Sequence, residues 1–133
     1  MRSEPMMKFI LNEQGFTLIE LIAVLVILSV LAAIAIPRYL SIDESARQRA
    51  IDAGIAELNG RETLTWSNMK ITSTGYTDDT TLFSELDKTL GQDYRWQGGS
   101  PTRNGGTLKF RESTLIPLTR NTSTFTKPGY WSR

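Results

Sequence analysis

Neither cysteine nor histidine occurs among the 133 residues. Their absence removes disulfide frameworks, the commonest zinc sites, thiol nucleophiles and the usual general base, which argues against an enzyme. An excess of one charge is missing too: 15 Lys and Arg against 14 Asp and Glu leave a formal net charge of +1, which argues against a general nucleic-acid binder. After Met69, nine Lys or Arg stand against six acids, and a solvated surface explains that excess better than a DNA contact. Asp78, Asp79, Asp87 and Asp93 do not fall at the spacing of an oxygen-rich loop, so neither a metal site nor a cofactor is expected.

What the chain does have is one long apolar run. From Phe16 to Ile36 only Thr17, Glu20 and Ser29 are polar. A helix over these residues would span about 30 Å, the thickness of a bilayer core. Its residues are apolar on every face, so periodicity alone does not separate a membrane span from a buried core helix. The remainder of the chain is too small to wrap such a helix on all sides, which leaves lipid or identical copies of the helix to cover it. Glu20 is the anomaly, because an acid inside such a segment either sits at the interface or carries a function.

The motif Gly15-Phe16-Thr17-Leu18-Ile19-Glu20, followed by a run ending in Ala33-Ile34-Ala35-Ile36-Pro37, closely resembles the class III prepilin motif of type IV pilins and type II secretion pseudopilins. The resemblance covers about the first forty residues. It implies that a prepilin peptidase cuts between Gly15 and Phe16, that the new first residue Phe16 is N-methylated, and that Glu20 guides assembly. The amine on Phe16 would then lie about one helical turn from its own Glu20 and within reach of a neighbour's, so an incoming subunit would bury its acid only in register. The same resemblance implies a cytoplasmic N-terminus, although Arg2 and Lys8 before the span are outnumbered by Arg38, Arg47 and Arg49 after it.

Taken in order, residues 1–15 form the leader, too polar for a secretory signal with its own apolar core, and Met6 and Met7 are alternative starts. Residues 16–37 form the transmembrane and filament-core helix. Pro37 ends the apolar run and bends the helix without stopping it, because a Pro in a helix interior removes one hydrogen bond. Residues 38–69 continue as an amphipathic helix in which Leu40, Ile51, Ile55 and Leu58, with Ala46, Ala50 and Ala53, face a sheet, and which runs on through Asn59-Gly60 to Trp66 and Met69. Residues 70–133 form an α+β head. In it Asp78 or Asp79 caps a short helix through Leu82, Phe83, Leu86 and Leu90, stopped by Gly91. Strands follow at Tyr94 to Gln97, Thr107 to Arg111 and Leu115 to Arg120, and Thr122 to Arg133 adds an edge strand or a tail. With no cysteine to close a C-terminal loop, that tail is expected to be held by packing alone. Asn121-Thr122-Ser123 fits a glycosylation acceptor, but a polar strand face is the simpler account.

The expected fold is therefore α+β and pilin-like, a long bent N-terminal helix on a small antiparallel sheet. The expected role is a non-enzymatic subunit that polymerises into a type IV pilus or similar filament, with a type II secretion pseudopilin or minor pilin as the near alternative. A single-pass anchor presenting a binding head is the further one. The resemblance implies as partners copies of the chain, a prepilin peptidase and N-methyltransferase, an inner-membrane assembly platform, and the bilayer before assembly. It also implies a single-pass precursor in a bacterial inner membrane that moves to an extracellular pilus or periplasmic pseudopilus.

Overall fold

The computed structural model describes residues 15–112 and 114–133, so all but the last residue of the expected leader, residues 1–15, lies outside the described residues. The element order is α1 (Leu18–Ile71), α2 (Asp79–Glu85), β1 (Tyr94–Trp96), β2 (Gly105–Phe110), β3 (Thr114–Asn121) and β4 (Tyr130–Ser132). The chain divides into two compact units, the first ending at Asp43 and the second running from Glu44 to Arg133. In the first unit every described residue is exposed, including Phe16, Leu25, Ile34 and Ile42. Helix α1 continues past Pro37, and also past Asn59-Gly60, as the apolar period there predicts.

The second unit is an α+β head. Its four strands lie in the order β1-β2-β3-β4, all antiparallel, so each pairs with its neighbour in sequence. Alternation sets the faces: along β3, Ile116, Leu118 and Arg120 are buried while Leu115, Pro117, Thr119 and Asn121 are exposed. Pro117 is tolerated in a middle strand because β4 pairs only with Thr119 to Asn121 and leaves that flank of Pro117 open. Gly105 is required at the start of β2, where φ is +130° and a side chain would run into the Leu118 carbonyl.

The part of α1 in the head buries Ile51, Gly54, Leu58, Glu62 and Met69, a stripe at helical spacing. Ile51 and Leu58 pack with Leu86, Leu108, Phe110, Ile116, Leu118 and Trp131. Tyr94 stands over Gly54, where a Cβ would lie 2.7 Å from its ring, and its hydroxyl donates to the Ala50 carbonyl at 2.5 Å. Leu40, Ala46 and Ala53 are exposed, contrary to the expected docking face, and Gly54 rather than Ala53 makes the close contact.

Helix α2 is shorter than its apolar spacing suggests. It ends at Glu85, with Leu86 already extended, so Leu90 and Gly91 lie beyond it. Side chains take the carbonyls around and beyond this end instead. Lys88 Nζ donates to Phe83 and Leu86, Arg61 donates to Asp87 and Thr89, and Trp96 Nε1 donates to Lys88 at 2.7 Å. The later strands fall within two residues of expectation, and the tail does end in an edge strand.

Candidate functional site

Two sites stand out, one in each unit. The first is the start of α1. Gly15, Phe16 and Thr17 precede the helix, and Gly15 and Phe16 are exposed. The Thr17 N–H donates to Glu20 Oε2 at 2.8 Å, the Glu20 N–H donates to Thr17 Oγ1 at 3.3 Å, and the Leu21 N–H donates to the Thr17 carbonyl at 3.2 Å. This is a reciprocal capping box, with Thr17 as N-cap and Glu20 three residues on. The Thr-x-x-Glu spacing before an apolar run signals it in the sequence, and it gives Glu20 a local task beside the assembly role expected of it. Gly15, Phe16 and Glu20 thus lie at one end of α1, with Glu20 bonded to Thr17. Pro37 lies 17 residues past Glu20, about 26 Å along a regular helix.

The second site is a buried charge cluster in the head. Glu62 on α1 and Arg120 on β3 both occupy core-facing positions, and their side chains are fully buried. Arg120 uses all five of its N–H donors. Nε and Nη2 reach the two oxygens of Glu62, Nη1 and Nη2 reach Asp79 at 3.0 and 2.8 Å, and Nη1 also reaches the Arg103 carbonyl at 3.0 Å. Trp131 Nε1 completes Glu62 at 3.0 Å, and the Ser123 N–H and hydroxyl complete Asp79 at 2.6 and 2.7 Å. Burial raises the Asp79 carboxyl, but the hydrogen bonds from Arg120 and Ser123 outweigh it and hold the group below the usual carboxylate range. Of the paired acids only Asp78 is the helix cap, its carboxylate accepting from the Thr81 N–H at 2.8 Å.

This cluster holds the tail, which is therefore not held by packing alone. Around it the Asn59 amide exchanges two bonds with the Trp131 backbone at 3.0 and 2.7 Å, and Trp66 Nε1 and Lys70 Nζ donate to Thr124 and Phe125, each at 2.9 Å. Gly129 lies so close that a side chain there would overlap Glu62. Ser123, the third residue of the apparent glycosylation acceptor, is buried with its hydroxyl bonded to Asp79 and Tyr76. Among the described residues no group of three or more acids is placed to hold a metal ion.

The comparisons bear on the first site. Residues 10–36 match the prokaryotic N-terminal methylation motif. The type IV narrow pilus major component PilA5 of Thermus thermophilus is 46% identical over 46 residues, a stretch that makes up 35% of this chain and 40% of that protein. The match thus spans less than half of either protein, and no solved structure matches the chain. The chain thus carries an N-terminal methylation motif, followed by an apolar helix and an α+β head, and over 46 residues it is similar to a type IV pilin.

Proposed function

We propose that this pilin-type chain is the precursor of a subunit that polymerises into a type IV pilus or a pilus-like filament. A prepilin peptidase removes residues 1–15, Phe16 becomes the first residue and is N-methylated, and residues 16–37 anchor the subunit in the inner membrane, N-terminus cytoplasmic, until it enters the filament. The observation that carries this reading is the first unit, where the most apolar stretch of the chain is exposed throughout. Such a surface is not left to water, and the covers available to it are lipid before assembly and other copies of the helix after it. Each contact between copies is heterologous and does not close, so repetition gives a fibre, extracellular for a pilus and periplasmic for a pseudopilus.

Glu20 has the deciding role in register. In the single subunit it caps its own helix through Thr17, and in the filament its charge meets the Phe16 amine of a neighbour. Glu20→Gln separates the two tasks, because Gln serves equally in a capping box but carries no charge. The expected result is a folded, inserted and processed subunit that yields few or no sheared filaments. Normal filament yield from this variant would remove Glu20 from the assembly mechanism.

A further inference from the structure

We infer that Thr17 is a positioning residue for leader removal: its capping box with Glu20 starts α1 at Leu18 and so keeps the Gly15–Phe16 peptide outside the helix, open to a peptidase. The inference rests on the reading that the leader is cut after Gly15. In that step solvent water adds across the peptide bond. The carbonyl carbon of Gly15 gains the oxygen and leaves with the leader as a carboxylate, and the nitrogen of Phe16 keeps its electron pair and takes up protons as the new amine.

A hydrolase must approach that carbonyl from its face and protonate the nitrogen. Inside a helix both groups are tied into the hydrogen-bond ladder and shielded by the neighbouring turns. Three observations place the scissile bond outside. Gly15, Phe16 and Thr17 carry no helical backbone, Gly15 and Phe16 are exposed, and nothing lies within 4 Å of where a Gly15 side chain would project. The cause is local. The Thr17 N–H, which would donate to the carbonyl four residues earlier if the helix ran on, is committed to Glu20 Oε2 at 2.8 Å. Asn12-Glu13-Gln14 contains good helix formers, so without the cap the ladder is free to extend back through Gly15.

The test uses the full chain in membranes with a prepilin peptidase, following the new N-terminus at Phe16 by mass. Thr17→Val keeps the shape but loses the hydroxyl acceptor, and should slow cleavage by up to about fivefold, the effect of losing one cap on the helix boundary. Thr17→Ser and Thr17→Asn cap as well as Thr and should cut at the wild-type rate. An enzyme that instead reads the side chain by shape would give the reverse order, Val cut and Asn not, which would overturn the inference, as would equal rates for all. Carbon chemical shifts of Gly15 and Phe16 in the uncut chain in detergent give a second readout without the enzyme. They should be non-helical in wild type and helical in Thr17→Val, and unchanged shifts overturn the inference as well. A wild-type chain that is not cut between Gly15 and Phe16 overturns the processing reading itself, an outcome distinct from either.

Discussion

Replacing Arg120 with Met removes the cation at the centre of the head while filling most of its volume. Glu62, whose side chain is fully buried, and Asp79, whose side chain is 10% exposed, would then face each other without a positive charge between them. Truncating one partner of a buried ion pair costs about 3–5 kcal/mol, because the desolvation of the other partner is no longer offset. A small domain is stable by only about 5–15 kcal/mol, so this single change removes a large part of the total. At about 4–8 °C per kcal/mol for a domain of this size, melting should fall by at least roughly 12 °C. The Arg133–Asp52 pair, 3.0 Å apart with side chains 44% and 57% exposed, is the internal control. Removing it should cost no more than about 1 kcal/mol. Trp66, Trp96 and Trp131 all lie in the head, so their fluorescence in the full chain in detergent follows head unfolding without interference from the apolar helix. Glu62→Leu combined with Arg120→Met should recover part of the loss, since an apolar replacement of a buried pair is often neutral. A single variant within about 1 kcal/mol of wild type, or a double variant no better than the single, would refute the argument.

Acid should weaken the same cluster. Because the Asp79 carboxyl titrates below its ordinary range when folded, its contribution is complete above about pH 4 and is lost as the pH falls below that, so urea midpoints should drop there and drop less in Arg120→Met. Gly54→Ala should destabilise the head by about 1–3 kcal/mol, because its methyl meets the Tyr94 ring, whereas Gly60→Ala, with open space around it, should be neutral or stabilising. Pro37→Ala restores a donor inside α1 and should alter filament rise and twist more than membrane insertion, as seen by electron microscopy. Gly15→Leu should leave the leader attached, visible as slower migration on a gel.

Much of the head was legible in the sequence because period and turn chemistry agree there. Alternation from Leu115 to Arg120, the turn at Gly98-Gly99 and the break before Gly105 place the strands nearly where they lie. The end of α2 was not legible, since the carbonyls there are taken by the nearby Lys88 ammonium and Trp96 indole and by Arg61, which comes from α1. The charge cluster has a signal in the sequence: Glu62 continues an apolar helical stripe and Arg120 an apolar strand face, and opposite charges at two core positions need each other. Leu40 has helical spacing with Ile51 yet is exposed, because spacing identifies a face and does not say what covers it. At the N-terminus the motif is plain in the sequence, while the Thr17 cap is told from an ordinary polar residue only by its hydrogen bonds with Glu20.

Cleavage, methylation and incorporation into a filament are all read at once from the intact mass of the subunit recovered from sheared filaments. The expected mass is that of a chain beginning at Phe16 and carrying one added methyl group. A filament subunit that retains residues 1–15, or the absence of this chain from every filament fraction while the uncut form stays in the membrane, would contradict it.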